Sequence, residues 1–267
     1  MTPLTRRLFK LPPLPPPIST THHSLPSFLA HAARTALPPT TTTYIGTHYE
    51  YTIQSALRRN ALLLHRTGGR SDAGTDLLGT WHLPAHEHPL RVLVQCKALK
   101  NKLGPNLVRE LEGTFARAPV GWRGGGVVGL LVSTREATRG VREALARSAF
   151  PVVWLMVEAG GVVRQALWNG RVEELGVQGL GVEVVYPSYT SDEGEGGEEG
   201  SEHGGVRLTW EGRELPCMDQ VEGDMLRAQE RWFALWGVGE DRWEEVVGVV
   251  ERLFPEEKPL LFARDGR

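Results

Sequence analysis

Asp76, Gln95 and Lys97 stand where two apolar runs would bring them together. Asp76 opens the run 75–83, and Gln95 and Lys97 lie near the end of the run 90–98. Two residues apart on a strand, Gln95 and Lys97 leave the same face. If the runs pair antiparallel, Asp76 comes opposite the Gln95–Lys97 end and three polar groups converge on one point. Their neighbours are Leu77, Leu78, Leu90, Val92, Leu93 and Val94. A carboxylate and an ammonium in such surroundings need a partner, a metal or water. The arrangement is that of a metal site.

The elements that must position these groups can be read in order. Thr47-His48-Tyr49-Glu50 has the form of a capping box, and Tyr49, Ile53, Ala56 and Leu57 follow at helical spacing, which predicts a helix to about Asn60. A strand over 62–66 and a Gly68-Gly69 turn precede the hairpin. Leu107, Leu111 and Phe115 share one face of a helix over 106–117. Gly124-Gly125-Gly126 opens a buried strand over 127–133, Ser133 or Thr134 caps a helix to about Ser148, and 151–157 is apolar again. Strand–helix–strand at this spacing implies a right-handed parallel crossover. The class is therefore α/β, a mixed sheet flanked by helices over residues 44–158.

Residues 159–267 read as a smaller α+β extension. Short strands are expected over 162–168, 182–186 and 206–210, with amphipathic helices over 219–236 and 241–254. Between them, 191–205 carries six acids among glycines and is expected to be a disordered loop.

Formal net charge is only −2 over 267 residues, but it is unevenly spread. Residues 1–49 carry Arg6, Arg7, Lys10 and Arg34 and no acid; 50–150 carry 15 Lys/Arg against 8 Asp/Glu; 151–267 carry 11 against 24. The half with the candidate site is the basic one, as a polyanionic substrate requires. Two cysteines, Cys96 and Cys217, make neither a zinc cluster nor a disulfide framework. No apolar run approaches the ~18 residues of a membrane span. Residues 1–43, rich in Pro, Ser and Thr and containing no acid, have the composition of a mitochondrial presequence, with a disordered leader as the plainer reading. Either way they are expected to lie outside the fold, and a presequence implies delivery to the matrix.

The set Asp76 … Gln95-x-Lys97, with Glu50 on a preceding helix, resembles the PD-(D/E)xK nuclease superfamily, and within it the Mrr-type restriction endonuclease domain, where Gln commonly holds the middle position. The resemblance spans about 44–157. It includes Gly46-x-x-Tyr49-Glu50, Gly68-Gly69 before Asp72-x-Gly74-x-Asp76-Leu77, and Val94-Gln95-Cys96-Lys97. Thr75 stands where the superfamily's name has Pro, a position that varies among its members. With its leader and acidic extension, the whole chain is similar to fungal mitochondrial proteins named for being required for respiratory growth.

The resemblance implies a restriction-endonuclease-like fold and a metal-dependent DNA endonuclease, acting in maintenance of the mitochondrial genome. Asp76, the Gln95 side-chain oxygen and the Cys96 carbonyl would hold Mg²⁺ or Mn²⁺, with Glu50 reaching it through water. Lys97 would orient the attacking water and offset charge at phosphorus. Lys100, Lys102, Arg109, Arg123, Arg135 and Arg139 are candidates for phosphate contacts along DNA.

Plainer readings stand beside these. Asp76 and Lys97 could form a structural ion pair, Glu50 could be the N3 partner of Thr47, and Asp72 a turn residue. His82, His86 and His88 lie in a turn without the fixed spacing of a transition-metal site. Cys96 is expected on the face opposite Gln95, packed as a small apolar group. As a whole, the chain could instead be a non-catalytic nucleic-acid-binding protein that retains the nuclease fold, or an interaction protein working through its acidic carboxyl-terminal lobe.

Overall fold

Six of the apolar runs form one sheet. In the computed structural model, which describes residues 1–14, 16, 19–67, 74–84, 86, 88–98, 103–186 and 204–255, they are β1 (Leu62–Arg66), β2 (Leu77–Trp81), β3 (Leu90–Lys97), β4 (Val127–Ser133), β5 (Val152–Val157) and β6 (Val163–Trp168). They lie side by side in chain order. β1, β2 and β3 pair antiparallel, β3, β4 and β5 parallel, and β6 returns antiparallel on β5. The two parallel steps fall where a helix intervenes, since parallel neighbours need a long crossover.

Side-chain parity along β3 separates two cores. Val92 and Val94 face the helix α3 (Thr42–Ala56), packing with Tyr49, Ile53, Leu77, Val128 and Leu130. Leu93 faces the other way, onto Ala118 and Trp122. On that side α4 (Asn106–Arg117) and α5 (Arg139–Arg147) bury Leu107, Leu111, Val141 and Leu145 against Leu131 and Trp154. Gln95 and Lys97 share the parity of Leu93 and so belong to the α4 side. Gly79 is what lets β1 lie so close to β2, because a Cβ there would sit 2.1 Å from the Leu63 carbonyl oxygen.

Beyond the sheet, the single turn α6 (Gly170–Glu173) leads to a smaller antiparallel sheet of β7 (Leu180–Val185), β8 (Gly205–Trp210) and β9 (Arg213–Glu214). Its Leu180, Leu208 and Trp210 extend the core on the α3 side. Then come α7 (Met218–Leu235) and α8 (Trp243–Leu253). The expected α/β class and α+β extension are both present.

Three expectations change. The leader is not outside the fold: α1 (Pro3–Leu8) and α2 (Leu25–Arg34) are helices, each capped by a hydroxyl, Thr2 and Ser24 respectively. Its prolines at 12, 13 and 16 lie between these helices, so they interrupt neither. α2 packs Phe28 and Ala32 on Tyr51 of α3. The helix with Glu50 starts earlier than its capping-box pattern suggests, because the Thr41 hydroxyl caps it by accepting from the Tyr44 amide at 3.2 Å. Thr47 is thus mid-helix and Glu50 is not its N3 partner. The helix expected from Ser133 or Thr134 starts only at Arg139, capped by Thr138. The Ala137 amide is drawn off to Gln165 Oε1 on β6, at 2.9 Å. Most of the acidic loop expected over 191–205 lies outside the described residues, as do Gly68, Gly69 and Asp72.

Candidate functional site

Asp76 enters β2 from a turn in which Gly74 has φ +86°. Side chains rarely adopt that conformation, and a Cβ there would also press on Thr114 and Gln95 at 3.3 and 3.4 Å. The Asp76 amide donates to the Val94 carbonyl at 2.9 Å, and its own carbonyl accepts from Thr67 at 2.8 Å. Its carboxylate Oδ2 accepts the Cys96 amide at 2.6 Å. A side-chain acid thus takes the place of a strand carbonyl where the β2–β3 ladder runs out, in a short charge-assisted bond. The antiparallel register, Leu77 opposite Val94, brings Asp76 to the Gln95–Cys96 step.

Gln95 is only 5 % exposed, and its Oε1 is buried with no hydrogen-bond partner among the described residues. An unpaired buried amide oxygen costs about 1–3 kcal/mol, so such an atom is normally explained by an absent water, ion or ligand. Lys97, on the same face, reaches Glu110 Oε2 on α4 at 3.2 Å. Asn106 Nδ2 steadies that glutamate by donating to its Oε1 at 3.2 Å.

Cys96 packs against the core on the α3 side, as expected from strand alternation. Burial, with Asp76 and Glu50 nearby, pushes its thiol well up, so the sulfur stays protonated and is no nucleophile. A strand residue points its N–H and C=O to the same side, so the Cys96 carbonyl looks toward β2 as its amide does.

Glu50 is engaged by a residue the sequence pattern did not single out. It forms a hydrogen-bonded ion pair with Arg66 at the end of β1, the two side chains being 13 % and 15 % exposed. Arg66 also lies over the Tyr51 ring, 5.6 Å from its centroid, and within 3.5 Å of the Thr47 hydroxyl. The leader contributes next to it: His22 Nδ1 and the Tyr51 hydroxyl are 2.8 Å apart, and burial followed by the Arg66 charge lowers the His22 pKa.

These contacts decide how a divalent cation would fit. Among the described residues no group of three or more His, Cys, Asp or Glu converges, so an all-acid or histidine cage is absent there. Asp76, Gln95 Oε1 and the Cys96 carbonyl are oxygen donors on neighbouring positions of β3 and the residue that leads into β2. Oxygen donors and waters suit Mg²⁺ or Mn²⁺. The orphaned Gln95 oxygen is the observation that makes the fit.

The cationic candidates divide. Lys100 and Lys102 lie outside the described residues. Arg109 on α4, with Arg123 and Arg135, is exposed. Arg123 is turned back onto the Ala118 carbonyl, and Arg139 pairs with Glu143 at 2.9 Å. The histidines of the 82–88 turn have separate engagements. His82 Nε2 meets the Thr80 hydroxyl at 2.9 Å, and His86 Nε2 meets the Gly176 carbonyl at 3.0 Å. Glu110, Arg66 and Thr114 are the site residues missed by sequence reasoning. Glu110 alone left a trace, a carboxylate on the polar face of an amphipathic helix that starts nine residues after Lys97.

A mixed six-stranded sheet with an acid, an orphaned amide oxygen and a lysine at the β2–β3 step defines an α/β protein with a compact polar site. A family profile described as required for respiratory growth protein 7 matches residues 41–88 and 84–186, spanning the whole of that sheet. The chain belongs to this family. It is 31 % identical over 181 residues to an uncharacterised mitochondrial protein of Schizosaccharomyces pombe, covering 66 % of this chain and 71 % of that one. It is 27 % identical over 175 residues to the mitochondrial required for respiratory growth protein 7 of Saccharomyces cerevisiae, covering 50 % and 72 %. No solved structure matches. No helix among the described residues is long and apolar enough to cross a membrane.

Proposed function

We propose that this chain is a mitochondrial, divalent-cation-dependent DNA endonuclease of the PD-(D/E)xK type, working in the matrix on the organelle genome and thereby supporting respiratory growth. The names of its relatives support the compartment and the physiological role. One observation carries the chemistry: the buried Gln95 Oε1, without a hydrogen-bond partner among the described residues, one residue before the amide on which Asp76 is docked.

Asp76, Gln95 Oε1 and the Cys96 carbonyl would hold the ion. When bound, Mg²⁺ or Mn²⁺ supplies Lewis acidity, easing deprotonation of a water and neutralising phosphate charge. The protein's own part is positioning. The Cys96 amide fixes the rotamer of Asp76, and Gly74 leaves the space in which Gln95 lies. Lys97 presents an ammonium on the same face as Gln95, where it offsets charge gathering on the phosphate. Glu110 and Asn106 set the direction of that ammonium in the resting protein. Glu50, held by Arg66 on the α3 face, lies across the sheet from Gln95 and Lys97, and its charge is felt at the Cys96 thiol. Arg109 and Arg135 supply salt-dependent phosphate contacts beside it.

A second reading is favoured by a specific pair of contacts. Glu50–Arg66 and Lys97–Glu110 already engage two of the four residues assigned to chemistry. A protein that binds nucleic acid on this fold without cutting it would keep both pairs closed. Purified protein incubated with supercoiled plasmid and Mg²⁺ or Mn²⁺, beside Asp76→Asn and a chelator control, separates the two. Metal-dependent relaxation lost in Asp76→Asn supports the endonuclease. Salt-sensitive binding with no cleavage in either protein assigns the binding role instead.

A further inference from the structure

The leader's first helix is built into the carboxyl-terminal lobe. Leu4, Leu8, Phe9 and Leu11 are buried against Met225, Ala228 and Phe233 of α7 and Val247 of α8. Inside this contact the Thr5 hydroxyl donates to Gln229 Oε1 at 2.8 Å, and both residues are almost wholly buried. A hydrogen bond closed off from water between two matched partners marks a specific seat, because either group left alone there would be penalised. At the rim Arg7 meets Glu244 at 2.6 Å and Glu251 at 2.7 Å. Both ends of the segment are finished: Thr2 caps the helix, and Lys10 at φ 49° reverses the chain so that the Leu11 amide returns to the Arg6 carbonyl at 3.0 Å.

The properties that make this segment read as an import address are therefore the ones that seat it. Its apolar stripe fills the groove between α7 and α8, and its arginine answers the acids of the carboxyl-terminal lobe. If the segment were removed, Met225, Phe233 and Val247 would be uncovered. That lobe already exposes Leu235, Trp236, Leu253 and Phe254, and an apolar patch enlarged in this way invites association.

We propose that residues 2–11 are a permanent structural part of the folded protein, the third helix of its carboxyl-terminal lobe, and are not discarded by processing. Any address they carry is legible only before folding, since the folded chain withdraws its apolar stripe. The idea concerns the fold and stands whether or not the endonuclease reading holds.

Two measurements test it. Protein carrying a carboxyl-terminal tag is recovered from cells and its amino-terminal peptides are mapped by mass spectrometry. Peptides covering residues 2–11 in the main folded species are expected; a main species that begins beyond Leu11 overturns the proposal. Separately, the purified full chain is compared with Leu8→Ser, which keeps every residue of the leader but spoils its seat. The variant should melt lower by about 5 °C or more, and trypsin should cut at Arg6 and Arg7 far faster than in the unaltered chain. Equal melting and equal cleavage would overturn the proposal. The compartment from which the protein is recovered reports on the localisation reading alone and leaves both measurements unaffected.

Discussion

Two of the ion pairs that join separate elements, Glu50–Arg66 and the pairing of Arg7 with Glu244 and Glu251, are built differently. On the α3 face of the sheet, Arg66 and Glu50 are 15 % and 13 % exposed, and Arg66 lies over the Tyr51 ring. At the carboxyl-terminal lobe, Arg7 is 38 % exposed and shares its charge between Glu244 and Glu251, which are 67 % and 31 % exposed. Water screens the second pair and hardly reaches the first. The inner pair consequently holds itself closed, and removing one partner strands a charge. The outer pair rides on an apolar seat that does most of the holding. Stability near β1 and α3 therefore depends on electrostatic completeness, and stability of the lobe depends on burial of Leu8, Phe9 and Phe233.

The largest expected effect tests the inner pair. Glu50→Ala leaves the Arg66 guanidinium without its partner in a place largely closed to water, and should cost about 3 kcal/mol or more in a denaturant melt. Glu50→Ala combined with Arg66→Met should recover most of that loss. If the single variant is as stable as the parent, the pair is not a structural element.

A pH titration probes the buried surface between the two regions. Burial, reinforced by Arg6 and Arg58, lowers the pKa of His65 to about 4. Its Nε2 has no hydrogen-bond partner among the described residues. Below its usual pKa the unfolded chain takes up a proton that the folded chain refuses, so stability falls as pH drops from about 6.5 toward 4. The loss reaches up to about 3 kcal/mol. His65→Leu should flatten that part of the stability profile; an unchanged slope would show that other groups produce it.

Lys97→Ala sharpens the comparison from the functional side. Its partner Glu110 is half exposed, so the loss of the pair should move stability by no more than about 1 kcal/mol. Under the proposed endonuclease reading, cleavage should fall by about 100-fold or more, as when a transition-state stabiliser is removed. A large fall in melting temperature with an unaltered rate per folded molecule would make Lys97 a structural residue. The smallest effect belongs to Arg7→Ala. It should cost less than about 1 kcal/mol, and less again at high salt, because exposed pairs are screened. A loss as large as that of Glu50→Ala would erase the distinction between the two regions.

How much of this could be read along the chain depends on how far apart the partners lie. β1, α4 and β4 fall on their expected bounds because period-2 and period-3.6 patterns are local. The meeting of Asp76 with the Gln95–Cys96 step was equally legible. A hairpin pairs neighbouring strands, and strand alternation then determines that Gln95 and Lys97 share a face and Cys96 does not. Burial of Gln95 was not legible, since the turn at Gly74 and the helix residue Thr114, which lie close to each other and to the Gln95 amide, come from other parts of the chain. Nor was the partner of Glu50, which lies 16 residues away, or the Thr5–Gln229 bond, which spans 224. Composition alone identified an acid-free, hydroxyl-rich leader and an acidic extension. That the first would seat itself in the second is a property of complementary surfaces, and these exist only once α7 and α8 have packed.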